Sequence, residues 1–145
     1  MGLFDKVLGT GTDKLNGPEG FAGVAFCAVA ADGVLTEEEQ LGLVTTMSRM
    51  KLYEGMSQRQ IGAIFDKLVK IARSEGIDVL LQRSSEAIPN ELRPTAFAVS
   101  ADLVMADGMI ATAERAFLEK IQKSLGVMDA DALRIVEVIQ VKNKG

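Results

Sequence analysis

The sequence predicts an all-α fold, a compact bundle of about seven helices built from two pseudo-symmetric helical repeats. Three observations carry this expectation. Apolar residues recur at helical spacing through most of the chain, and no stretch sustains the period-two alternation of a half-buried strand. The three prolines, Pro18, Pro89 and Pro94, each stand at a helix start or at a break between helices. The pattern Ala-Asp-Gly-x5-Glu occurs twice, 75 residues apart, each time after a nearly uncharged helix and before an amphipathic one. With 145 residues, 48% of them hydrophobic and 25% charged, the chain has the composition of one globular domain able to bury its own core. Aromatics are only 5% and Trp is absent, so that core must be made of Ala, Val, Ile, Leu and Met.

The elements follow in order. Leu3, Phe4, Val7 and Leu8 form a short amphipathic piece, from Gly2 to about Leu8, that could dock on the body or lie in a membrane interface. Helices are then expected over about 18–31, 36–52, 57–74, 77–86, 91–106, 111–125 and 129–142. The repeats occupy roughly 18–74 and 91–142 of a single domain, 1–145. Superposing Ala31-Asp32-Gly33 on Ala106-Asp107-Gly108 sets Val24 on Val99, Val29 on Val104, Glu39 on Glu114 and Leu43 on Leu118. Phe21–Ala31 and Ala96–Ala106, apolar nearly all round, are expected at the buried centre. The 57–74 helix has Ile61, Ile64, Phe65, Leu68 and Ala72 on one face. Its other face carries Arg59, Lys67, Lys70 and Arg73, interrupted by Asp66. Such a stripe is a solvated face or a dock for an acidic partner or lipid headgroups.

Absences exclude much chemistry. No His means no imidazole base and no His-ligated metal, which also closes the di-iron bundle class. A single cysteine, Cys27, allows no disulfide framework and no zinc ribbon; inside an apolar helix it reads as a small core residue. Sixteen basic against twenty acidic residues, net charge -4, argue against a nucleic-acid binder. The longest uncharged stretch of the N-terminal half, Gly20 to Ala31, is too short to span a bilayer. Met1-Gly2-Leu3-Phe4-Asp5-Lys6 has charge where a signal peptide needs an apolar run. A free thiol and no export signal point to the cytoplasm. Ser84-Ser85 and the Asn90 region read as loop and N-cap chemistry, and no base accompanies them, so an enzyme is not expected. Met47, Met50 and Met56 read as gap-filling core.

The candidate site is the pair of acidic turns. Glycine after Asp supplies the left-handed conformation that ends a helix. Asp32 and Asp107 then stand at helix C-termini, where the macrodipole disfavours negative charge, so something must compensate. Two readings remain open. Thr36 and Glu39 have the spacing of a capping box, so the acids can be helix caps. In the second copy Ala111 replaces the capping Thr while Glu114 is retained, although Thr112 could shift the cap by one residue. Retention of Glu114 favours the other reading, in which Asp32, Glu39, Asp107 and Glu114, with loop carbonyls, bind Ca2+ or Mg2+ through oxygen alone. Neither turn is an EF-hand: counted from Asp32, glycine comes second and the twelfth residue is Leu43. Asp102, the repeat counterpart of Cys27, is a polar residue in an apolar helix and could be snorkelling, paired or an extra ligand.

Together with the opening Met1-Gly2-Leu3-Phe4-Asp5-Lys6-Val7 and with Ser124-Leu125-Gly126, these duplicated turns make essentially the whole chain resemble the TerB family of tellurite-resistance proteins. The resemblance implies an all-helical fold of two repeats and a non-enzymatic, cytoplasmic role in tellurite resistance and stress response, peripheral to the inner face of the membrane. It also implies divalent-cation binding at Asp32, Glu39, Asp107 and Glu114, and partners among membrane-associated stress-response proteins. Ala111 departs from the small hydroxyl or acidic residue usual in the family, which sets the two turns apart in strength. Tellurite is an anion reduced by thiols, and one buried thiol with no flavin or haem motif points to a supporting or sensing role instead of direct detoxification.

Overall fold

The structure, a computed structural model, describes residues 14–31, 33–105 and 112–144. The Gly2–Leu8 piece, Asp32, Asp107 and Ala111 lie outside the described residues. Among the described residues there are seven α-helices and no strand: α1 (Gly17–Val29), α2 (Glu37–Ser48), α3 (Gln58–Glu75), α4 (Ile77–Ala87), α5 (Arg93–Val104), α6 (Thr112–Leu125) and α7 (Asp129–Lys142). Single 3-10 turns at Lys51–Tyr53 and Asn90–Leu92 take the ends that sequence reading gave to the second and fifth helices. None of these helices is long and apolar enough to cross a membrane.

Local chemistry sets the helix starts. Asn16–Glu19, Thr36–Glu39 and Ser57–Gln60 each form a complete capping box, the first residue's side chain accepting from the third helical N–H and the third side chain accepting from the first residue's N–H. Pro18 lies in the first turn of α1 and Pro94 in that of α5, where a missing N–H costs nothing. Gly76, at φ +92°, is the entire link between α3 and α4, and its N–H donates to the Ala72 carbonyl. At the end of α6, Gly126 (φ +71°) completes a Schellman turn: its N–H bonds the Lys123 carbonyl, and the Val127 N–H bonds that of Gln122.

α1 is the centre. Every residue from Gly20 to Ala28 is buried, and the helix packs most extensively on α4, then on α5 and α3, with α2 and α6 completing its surround. The second nearly uncharged helix, α5, is less central: it buries Ala96, Phe97, Ser100, Ala101 and Val104, while Asp102 faces outward. The α1–α4 crossing is set by two glycines. A Cβ on Gly20 would stand 2.6 Å from the Ser84 carbonyl oxygen, and one on Gly23 would stand 2.0 Å from Ser84 Oγ. Ser84 and Ser85 are therefore neither loop nor cap: both are buried inside α4, where a small side chain is what the crossing admits. Ser84 Oγ has no hydrogen-bond partner among the described residues, whereas Ser85 Oγ accepts from the Ser124 hydroxyl at 2.7 Å and ties α4 to α6. Tyr53 closes the lower edge, donating its hydroxyl hydrogen to the Pro18 carbonyl at 2.7 Å and meeting Phe21 edge-on.

Cys27 and Met47 are fully buried, and Met50 and Met56 pack against the core, as gap-filling residues should. The ends of α1 and α5, Val29 and Val104, stand 75 residues apart, the same spacing as the two acidic turns that follow them.

A glycine-to-alanine pair tests the crossing. Helix propensity alone makes Gly→Ala stabilising by up to about 1 kcal/mol. Gly42→Ala, at a position with no neighbour within 4 Å of the added carbon, is expected to follow that rule. Gly23→Ala is expected to lose about 2–3 kcal/mol by overpacking against Ser84, read as opposite shifts in the urea midpoint.

Candidate functional site

The first acidic turn begins where α1 ends. The Ala30 N–H donates to the Phe26 carbonyl and the Gly33 N–H to that of Ala30, both at 2.8 Å. Gly33 takes φ +86°, and nothing lies within 4 Å of where its Cβ would stand. The glycine is needed for backbone conformation and not for space. Two residues of chain then lead to the Thr36–Glu39 box. Thr36 Oγ1 accepts from the Glu39 N–H at 3.1 Å, and Glu39 Oε1 accepts from the Thr36 N–H at 3.0 Å. Of the two readings of Glu39, the geometry realises the cap, which leaves Oε2 outside that hydrogen bond.

The second turn, at residues 106–111, lies between Met105 and Thr112 outside the described residues, but both of its ends are placed. Glu114 is an exposed residue in the first turn of α6, where the helix dipole favours it. At the other end, the C-terminus of α7 clamps α5. Lys142 Nζ meets Asp102 Oδ1 at 3.0 Å, and Asn143 Nδ2 donates to the Met105 carbonyl at 3.0 Å. Asp102 is thus a paired carboxylate. Asp32 and Asp107 are among the undescribed positions, so only Glu39 and Glu114 of the four candidate ligands are placed. Among the described residues no three acidic or thiol side chains converge as a metal site would require. The donor chemistry is oxygen-only, which suits Ca2+ or Mg2+.

Beside Met105, just past the end of α5, lies a groove of about 440 Å3 between α6 and α7. Phe97, Met105, Leu118, Ala132 and Val136 supply its apolar surface, and Arg115, Glu119, Gln122, Asp129 and Gln140 its polar groups. Gln122 is fixed there, its Nε2 donating to Asp129 Oδ1 at 2.7 Å and to the Val127 carbonyl at 3.1 Å. Met105, on the groove wall, immediately precedes the second acidic turn. This groove went unread in the sequence because its residues come from three helices. The one local signal was Ser124-Leu125-Gly126, whose glycine makes the Schellman turn between α6 and α7.

The basic stripe is smaller than its spacing suggested. Lys67 is engaged by Glu19 at 2.9 Å, which ties α3 to the first turn of α1, and Asp66 accepts from Gln40 Nε2 at 3.2 Å. Arg59, Lys70 and Arg73 are exposed.

Cys27 is fully buried, and its Sγ faces the Ile77 carbonyl at 3.9 Å. Burial raises its thiol well above the ordinary range, and the Asp78 charge adds to the effect. Comparison of the chain with known protein families, with curated proteins and with solved structures finds no match.

The buried thiol has two measurable consequences. Reaction of Cys27 with a disulfide reagent at pH 8 is expected to be on the order of a thousandfold slower in the native protein than in urea. Its folded pKa lies above the unfolded one, so its contribution is fully present below about pH 8.5 and is lost as pH rises and the unfolded thiol ionises. Tyr53, raised in the same way by burial, adds to the loss above about pH 10. Replacing Cys27 with Ala is expected to remove the first part of the alkaline decline in a pH series of urea melts and to leave the second.

Proposed function

We propose that this chain is a non-enzymatic helical module of a tellurite-resistance and stress-response system, acting by docking to a partner protein through the α6–α7 groove. The observation that carries this reading is the groove's composition. Its apolar floor gives a partner side chain somewhere to bury, and its mixed-sign polar groups set orientation. The resemblance of the acidic turns, the opening heptapeptide and Ser124-Leu125-Gly126 to TerB supplies the biological setting, cytoplasmic and peripheral to the membrane. Leu133 borders the groove and is 60% exposed, so Leu133→Glu blocks docking without disturbing the core. Deleting the gene from its host is expected to lower the tellurite concentration that permits growth. The parent gene should restore tolerance and the Leu133→Glu gene should not, although its protein keeps the parent melting temperature. Equal rescue by both genes defeats the groove reading.

Cation binding at the turns is the second part of the proposal. It is supported by Glu114, kept at the matching position of a turn where Ala111 has displaced the capping Thr. With Glu39 Oε1 holding the Thr36 amide, the first turn has Oε2 and the Asp32 carboxylate to offer. Calorimetric titration of Ca2+ or Mg2+ into the protein is expected to give heat that is reduced in Asp32→Ala and in Asp107→Ala and absent in the double variant. Saturating cation should then raise the melting temperature by mass action. No heat from the parent protein rejects this part and leaves the acids as caps.

A further inference from the structure

The groove between α6 and α7 has a fitting occupant in the chain itself. Phe97, Met105, Leu118, Ala132 and Val136 make its apolar surface, and Leu133 on its rim is 60% exposed. Arg115 and Glu119, which line it from α6, are exposed and enter no ion pair among the described residues. The first thirteen residues, outside the described structure, contain Leu3, Phe4, Val7 and Leu8, four large apolar side chains with Asp5 and Lys6 between them. Burial of such a cluster is favourable wherever its tether allows.

Topology puts the groove within reach of this segment. Lys14 and Leu15 lie against Arg83, Glu86 and Ala87 at the end of α4. Ser85, the residue before Glu86, is hydrogen-bonded to Ser124 of α6, and nearby Gln122 forms one end of the groove with Asp129. The described chain therefore begins at the same end of the bundle as the Gln122–Asp129 mouth. Gly9-Thr10-Gly11-Thr12-Asp13 carries no apolar side chain, and the steps from Lys14 back to Leu8 reach at most about 20 Å. From Asp129 to Gln140 the groove runs about 16 Å along α7, and Leu3 to Leu8 spans at most about 17 Å. Other exposed apolar residues suit the segment less. Val34 and Leu41 follow the opposite end of α1, a helix of 13 residues or about 20 Å. The hollow at Val138 and Val141 offers two apolar side chains where the groove offers six.

The charges agree in order as well. A chain entering at the Asp129 mouth sets Leu8 there and Leu3 toward the far end, so Lys6 is met before Asp5. Along α6, Glu119 stands one turn nearer the mouth than Arg115. Lys6 thus falls to Glu119 and Asp5 to Arg115, while the four apolar side chains take the floor. We infer that residues 3–8 occupy the α6–α7 groove of their own molecule. A tether of this length holds the segment at an effective concentration on the order of millimolar, so a contact too weak to persist between molecules is filled within one. A partner docking in the groove must then displace residues 3–8. That consequence rests on the proposed docking function, whereas occupancy is read on the protein alone.

Thiol protection in the full chain tests this, because Cys27 is buried and introduced thiols report alone. Val136→Cys is expected to react with a maleimide about tenfold more slowly than the same variant carrying Phe4→Asp. Leu41→Cys should react alike with and without Phe4→Asp, and continued silence of Cys27 shows that the fold is kept. On mild oxidation Val7→Cys with Leu133→Cys should close a disulfide within one molecule, and Val7→Cys with Leu41→Cys should not. Equal rates at Val136→Cys with and without Phe4→Asp overturn the inference and leave the segment to a membrane or a separate partner. A disulfide that forms only between molecules overturns it in favour of a second copy. Neither measurement involves tellurite tolerance, so failure here leaves the docking proposal standing, and failure there leaves occupancy standing.

Discussion

The close approach of α1 and α4 is the constraint on which the rest of the fold depends. Gly20 and Gly23 carry no Cβ on the side where Ser84 and Ala87 press, and an added carbon would stand well inside van der Waals distance of both. The two helices can therefore pack nearly backbone to backbone, and α2, α3, α5 and α6 pack around α1 beside them. Polar ties add to that packing: Lys67–Glu19 between α3 and α1, and the Ser85–Ser124 hydrogen bond between α4 and α6. Ser84 Oγ, without a hydrogen-bond partner among the described residues, is the cost of using so small a polar residue there.

The second half of the chain is built more loosely, and this is where surface is left for binding. α5 shares its buried face between α1 on one side and the α6–α7 pair on the other. α7 depends on α5 for most of its packing, and it reciprocates by clamping α5 at Asp102 and at the Met105 carbonyl. That clamp fixes the backbone at the entrance to the second acidic turn. The first turn is framed differently, by a left-handed glycine and a capping box. The described flanks of the two Ala-Asp-Gly-x5-Glu motifs thus differ.

Helix content was legible because it rests on local terms. Capping residues, prolines in first turns and glycines at helix ends act over one turn of chain, and six of the seven expected spans meet observed helices within about three residues at either end. The exception is the 36–52 span, which ends early at Ser48 because the chain turns through a 3-10 segment to bury Tyr53 against Phe21. Within the candidate site, the Thr-x-x-Glu spacing offered capping as one of two readings of Glu39, and the capping hydrogen bonds are present. The pairing of Asp102 did not, since its partner Lys142 is forty residues away.

Periodicity, capping chemistry and the doubled acidic motif were enough to establish an all-helical chain whose first uncharged helix is buried, because each is written in residues within a turn or two of one another. Only the packed molecule decided that Ser84 lies in a helix crossing, that Lys67 is spent on Glu19 and that α6 and α7 part to form a groove. It likewise decided that α7 keeps valines in water. Those outcomes depend on which distant faces meet, and a residue's neighbours in space are chosen by the summed packing of the whole core.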